Sequence, residues 1–217
     1  MNKVINILII GLFILMSINI TIGQESCFVE YKNGDRVEAD VKGFHSLDKK
    51  IKFKNLETGK KEKVLSEELE SITYIISNDT LVFKRMKVKA FSAFGKLKDQ
   101  KRPGWVAKLY GTDKMEGYLY CGSESSVSLN SLGNTKHYTF FTSAQAIKLS
   151  SEDHVFYIGA IKYEGIGGKR TARILMNRKL KKYLKDYCPE FSDKMNKNSY
   201  KTSELEKIID EYTAQCK

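Results

Sequence analysis

The residues of this chain best equipped for chemistry are cations. Between Gly165 and Lys185 there is no Asp or Glu, while Lys169, Arg170, Arg173, Arg178, Lys179, Lys181, Lys182 and Lys185 are all basic. At 3.6 residues per turn, positions 178, 181, 182 and 185 share one helix face. A face of that kind attracts polyanions: phosphate backbones, acidic glycans or lipid headgroups. A solvated Lys-rich face that serves solubility accounts for the same residues, and the sequence leaves the two readings open. Lys84, Arg85, Lys87 and Lys89 either add to the same field or face water along a strand.

Nucleophile and metal chemistry find less support. The four cysteines, Cys27, Cys121, Cys188 and Cys216, make an even count, which in an exported chain points to disulfides. None is spaced CxxC, so zinc-finger and thioredoxin-type readings fall away. His45, His137 and His154 have no neighbour at metal-ligand spacing and each reads as a strand or loop residue. The run Gly165 to Arg170 departs from a phosphate loop, with Tyr163 where a glycine is required and Arg170 where Ser or Thr is required. Its glycines read as a joint. Gly122-Ser123-Glu124 is not a nucleophile elbow, and Glu67-Glu68 reads as solvated charge. No catalytic residue, cofactor or metal site is therefore assigned, which leaves an enzyme unsupported rather than excluded. Asn78-Asp79-Thr80 is a formal N-x-T sequon.

These residues need elements to hold them. Residues 27–42 read as a β-hairpin turning at Asn33-Gly34, with Val37, Ala39 and Val41 on one face of the return strand. Ile51 and Phe53 alternate with lysines, and Ser71–Ile76 and Leu81–Ala90 give two further strands. The pattern then begins again. Asp35–Val41 lines up with Asp113–Leu119, Gly111-Thr112 stands where Asn33-Gly34 stood, and later strand segments follow in the same order. A duplication is expected, each copy a small antiparallel barrel or curled sheet. After Gly168 the period becomes 3.6: Leu180, Tyr183, Leu184 and Tyr187 place an amphipathic helix over 171–187. Pro189 opens a short second helix, and Ser203 with Glu206 forms a capping box before a last one. Cys188 closes the first helix and Cys216 follows the last, so a folded-back helical cap would bring them together as a disulfide.

The N-terminus supplies the location. Lys3 precedes an apolar run from Val4 to Ile18, and Thr21 and Gly23 suit the −3 and −1 positions of a signal peptide cut before Gln24. The run is short for a membrane span of about 20 residues. The expected layout is a signal peptide (1–23), a first β unit (24–95), a connector (96–104), a second β unit (105–164) and a C-terminal helical segment (165–217): an α+β chain, mainly β. The formal charge is +11. With its export signal, its Gly/Asp hairpins and the ending Tyr183-Leu184-Lys185-Asp186-Tyr187-Cys188-Pro189-Glu190, Glu211-Tyr212 and Cys216, the chain resembles a class of uncharacterised exported proteins of Gram-negative bacteria. That class carries no activity to transfer. The expectation is a periplasmic or secreted, non-catalytic binding protein with no transmembrane segment in the mature chain. Its partner would be an acidic envelope polymer, lipid headgroups or an envelope protein; export argues against nucleic acid. The alternatives are an envelope hydrolase with its site between the β units, or a structural accessory subunit.

Overall fold

The computed structural model describes residues 26–41, 43–76, 79–92, 95–131, 134–160 and 168–216, with backbone alone at 76, 79, 121–131, 134–143, 160, 168 and 169. The expected signal peptide and its cleavage point, Asn78 of the sequon, and the joint at 165–167 lie outside the described residues.

The first strands are β1 (Ser26–Tyr31), β2 (Arg36–Asp40), β3 (Lys50–Asn55), β4 (Lys61–Leu65), β5 (Leu69–Ile76) and β6 (Asp79–Phe91). They lie side by side in the order β6–β5–β1–β2–β3–β4, every neighbouring pair antiparallel. Alternation sets which side chains meet. Val29, Ala39, Val41, Ile51, Phe53, Leu69, Ile72 and Phe83 come together in one core. The β1–β2 turn is one residue longer than the two-residue hairpin expected. The Tyr31 N–H donates to the Asp35 carbonyl at 2.8 Å and the Gly34 N–H to Tyr31 at 3.0 Å. Gly34 takes φ +94°, the left-handed conformation in which glycine carries no Cβ penalty.

Next come β7 (Leu97–Asp99), which lies within the expected connector, β8 (Gly104–Gly111), β9 (Met115–Ser131), β10 (Asn134–Leu149) and β11 (His154–Ala160). β8, β9, β10 and β11 pair in succession, and β11 returns to lie parallel to β6, matching His154 to Lys87 and Phe156 to Lys89. That pairing closes β6–β8–β9–β10–β11 into a five-stranded barrel. Thirteen residues long, β6 serves two structures: residues 79–84 pair with β5, and 87–89 pair with β11. The barrel interior holds Val88, Val106, Tyr118, Tyr120, Ala144, Ala146 and Val155. The opposite face of β8 sends Trp105 and Ala107 into the N-terminal core, where the Trp105 indole donates to Ser66 Oγ at 3.3 Å.

The expected pair of equivalent units is not what this strand order gives. The first half runs β6–β5–β1–β2–β3–β4; the second is a meander that borrows β6 to close. Side-chain destinations differ as well. Val37, Ala39 and Val41 pack in the N-terminal core, whereas Met115 packs outside the barrel and Leu119 reaches the N-terminal core. Of the Gly111-Thr112 pair set against Asn33-Gly34 as a turn, Gly111 ends β8 paired with Glu116, and the turn falls at Thr112–Lys114.

Three helices follow: α1 (Gly168–Leu184), α2 (Pro189–Lys194) and α3 (Leu205–Gln215). Helix α3 begins after Glu204 with no side-chain cap, so the Ser203–Glu206 capping box is not formed. Glu204 instead accepts from the Lys201 N–H at 2.6 Å. The helices cover the outer faces of β9, β10 and β11, burying Met115, Ile147, Leu149, Phe156 and Ile158 against Met176, Leu180, Tyr183, Leu184, Leu205, Ile208 and Ile209. Helices of 17, 6 and 11 residues are marginal alone in water, and this apolar face stabilises them. The expected bridge is in place: Cys188 and Cys216 form a disulfide with Cα atoms 5.7 Å apart. No helix among the described residues is long and apolar enough to cross a membrane.

Candidate functional site

The basic residues of α1, with Lys185 just after it, divide into two groups. Arg170, Arg178 and Lys185 are exposed. Arg173, Lys179 and Lys181 are half-buried, and Lys182, though exposed, is also engaged by the fold. Arg173 donates to the Asn198 carbonyl, and Lys181 to the Met195 carbonyl at 2.9 Å, where α2 ends. Lys182 donates to the Gly95 carbonyl at 2.6 Å and lies over the Phe91 ring. The Lys179 ammonium stands 4.6 Å from the Tyr157 ring centre, and burial lowers its pKa. The side chain of Lys169 lies outside the described set. The face expected from 178, 181, 182 and 185 is thus not uniformly free, because Lys181 and Lys182 are hydrogen-bonded to backbone carbonyls.

A second group of cations converges where the barrel closes. Along the β6–β11 seam and under the segment joining β7 to β8 lies a cavity of about 410 Å³. Lys87, Lys89, Lys101 and Arg102 line it, together with Asp99, Gln100, Asp153 and His154, over a floor that includes Val88. Its position follows from the strands. β7 and β8 both pair with β6, matching Lys89 to Asp99 and Met86 to Gly104. Residues 100–103 therefore follow the edge of β6 away from β11, and Lys87, Val88 and Lys89 lie between them and Asp153 and His154. One cation is committed: Lys87 is bonded to Asp153, which raises the ammonium pKa and lowers the carboxyl pKa. Lys101 and Arg102 are exposed. Four cations against two carboxylates give the cavity a net positive lining.

At the edge of this cavity the turn between β10 and β11 brings Glu152, Asp153 and His154 together. One ligand atom from each lies within 4.8 Å of the others. The His154 side chain is only 1% exposed. Its Nδ1 is 3.1 Å from Glu152 Oε2 and 3.4 Å from Asp153 Oδ1, without a well-formed hydrogen bond to either, although the imidazole also helps to lower the Asp153 carboxyl pKa. On the far side of the ring, Nε2 is 3.4 Å from the Tyr183 hydroxyl. The Tyr187 hydroxyl donates to Glu152 Oε1 at 2.5 Å, and Lys87 holds Asp153 Oδ2.

Sequence reasoning set His154 aside as an ordinary strand residue. It does open β11, but the two acids immediately before it were the available signal: in a tight turn, consecutive residues converge without any helical spacing. His45 is a loop residue, its Nδ1 accepting from the Leu47 N–H at 3.0 Å, and the His137 side chain lies outside the described set. Lys87 and Lys89 were noted as adding to the field of the helix or facing water along a strand, but not as lining a cavity, because the parallel pairing with β11 joins residues more than 60 positions apart. Comparison with protein-family models, with curated proteins and with solved structures gave no match, so the geometry alone carries the functional reading.

Proposed function

We propose that this is an exported, non-catalytic binding protein of the cell envelope, whose ligand presents phosphate, sulfate or carboxylate groups to the cavity on the β6–β11 seam. The observation that carries the reading is the convergence of Lys87, Lys89, Lys101 and Arg102 on one cavity, with Lys101 and Arg102 exposed to an incoming anion. Concave placement matters because neighbouring low-dielectric walls concentrate the field of the cations, which a convex lysine face does not do. The exposed Arg170 and Arg178 of α1, with Lys185 just beyond it, extend the positive surface.

The test is salt-dependent retention on heparin and on vesicles containing anionic lipid, which separates an acidic polymer from a lipid surface. Lys101→Glu with Arg102→Glu leaves the ion pair at Lys87 intact. It is expected to elute from the matched ligand at clearly lower salt than the parent, with the difference gone once salt screens the field. Lys54→Glu, on an exposed position of β3, is expected to behave as the parent. Equal elution of the cavity variant and the parent from both ligands defeats the proposal. Charge reversal at Lys181 or Lys182 is a poor test, since it also removes hydrogen bonds that hold α1.

A second reading, an envelope hydrolase, is favoured by one observation: two carboxylates and a buried imidazole meet at the same cavity. Turnover of an acidic glycan or phosphoester by the purified protein, lost in Asp153→Asn, would move the assignment to that class.

A further inference from the structure

We propose that Glu152, Asp153 and His154 form a binding site for a divalent first-row transition metal ion, of which Zn²⁺ is the representative. The argument begins with His154 Nδ1. A buried ring nitrogen without a hydrogen bond is costly unless something else occupies its lone pair or its proton. Here it faces two carboxylate oxygens, a donor set of one nitrogen and two oxygens that suits zinc and its neighbours better than Ca²⁺ or Mg²⁺, which prefer oxygen alone. Spacing agrees. Ligand atoms about 2.0–2.2 Å from a tetrahedral zinc stand about 3.3–3.6 Å apart, and Nδ1 lies 3.1 and 3.4 Å from the two oxygens. The two carboxylate oxygens lie within 4.8 Å of each other, so seating an ion also requires that pair to draw together, which the exposed Asp153 side chain can do.

The surroundings match what metal ligands require. In metal centres the atom of each ligand turned away from the ion is held by a further residue, which fixes orientation and, for histidine, the tautomer. All three ligands have such a partner here: Tyr183 at His154 Nε2, Tyr187 at Glu152 Oε1 and Lys87 at Asp153 Oδ2. Only the three inward atoms point at one another. Lys87 opposes the ion by like charge, but it touches the outer oxygen and is exposed, so solvent screens it. With the imidazole neutral, the two carboxylates leave the site net negative even after Lys87 is counted. Three protein ligands leave a position vacant, and Asp153 and His154 both line the cavity, so that position opens onto it. This site stands independently of the anion-binding reading above, since it uses none of Lys89, Lys101 or Arg102.

Calorimetric titration of the untagged, metal-free protein with ZnCl₂ tests it, with Co²⁺ absorption in the visible reporting the ligand field. One equivalent is expected to bind. Asp153→Asn, exposed and so compatible with folding, should weaken binding at least tenfold, and His154→Ala should abolish the Co²⁺ spectrum. Tyr187→Phe, which touches no ion, should cost about tenfold through Glu152 alone. His45→Ala should change nothing. Absence of stoichiometric binding in the parent, or unchanged affinity in Asp153→Asn, overturns the site and leaves the three residues as a buried histidine beside two carboxylates.

Discussion

Cys27 lies on β1 with its side chain in the N-terminal core, a free thiol 8% exposed beside Ala39 and Val41. Burial pushes its pKa from 9.0 up to about 11, against the opposing hydrogen bonds from Tyr74 and the Val41 backbone. Two consequences follow from the sign of that shift. The thiolate is the nucleophile, so at pH 8 the reactive fraction falls on the order of a hundredfold below that of an ordinary thiol. Alkylation of the Cys27 peptide, followed by mass spectrometry, should be negligible in the native protein and rapid in urea; rapid native labelling would mean that β1 is not packed as described. The stability consequence runs the same way: folding favours the protonated thiol, so this contribution is present below pH 9 and is lost as pH rises through about 11. Cys27 is therefore an inert core residue, which an even cysteine count alone did not reveal.

At the scale of elements, Gly117 fixes how closely α3 approaches the barrel. A Cβ placed there would stand 2.7 Å from Leu205 Cδ2 and 2.8 Å from Ile209 Cδ1. Across the ladder, the β8 register slips between Lys108 and Tyr110 beside this glycine, a β-bulge. Gly117→Val is expected to destabilise the fold by about 1–3 kcal/mol in urea unfolding, because overpacking forces the docked helix outward. Leu205→Ala in the same background should recover part of the loss; no loss in the single variant would show that α3 sits further out. The strands that sequence made legible, such as β3 with Ile51 and Phe53 buried between exposed lysines, are those whose two faces differ strongly. β4 escaped because Lys61, Glu62 and Lys63 mask it. Glu62 is spent on polar partners, Tyr31 at 3.1 Å and Asn55 at 3.0 Å, not on an apolar face. The β6–β11 closure escaped for a different reason. Parallel pairing across distant segments is decided by shared burial, and no local pattern around Lys87 or His154 announces it. Hence the cations of α1 were visible as a run, while the cavity that assembles Lys87, Lys89, Lys101 and Arg102 was not.

At the scale of the whole molecule, the barrel needs its helical cap. The outer faces of β9, β10 and β11 are apolar, and Phe156 stacks on Tyr183 with ring centres 4.0 Å apart. Tyr183 and Tyr187 then hold His154 and Glu152, so the turn at the cavity edge depends on α1 being docked. The Cys188–Cys216 bridge closes a loop with a sequence separation of 28 that contains α2 and α3. On the chain-entropy account a loop of that size contributes about 3–4 kcal/mol, a large share of the roughly 5–15 kcal/mol that holds a typical domain folded. Reduction, or Cys216→Ser, is expected to lower the urea midpoint accordingly. It should also loosen the cap before the barrel, because the N-terminal core and the barrel interior contain neither Cys188 nor Cys216. Exposure of Ile147, Phe156 and Ile158 would then appear as binding of a hydrophobic dye at denaturant concentrations where the β signal in circular dichroism is still intact. A single coincident transition, unmoved by full reduction, would show that the bridge contributes nothing and that α1–α3 are held by packing alone. The two results differ in where the molecule opens first. Where the bridge contributes, reducing it makes the cap the weakest part, and the cap lies directly beside Glu152, Asp153 and His154, so reduction should also disturb whatever that cluster binds.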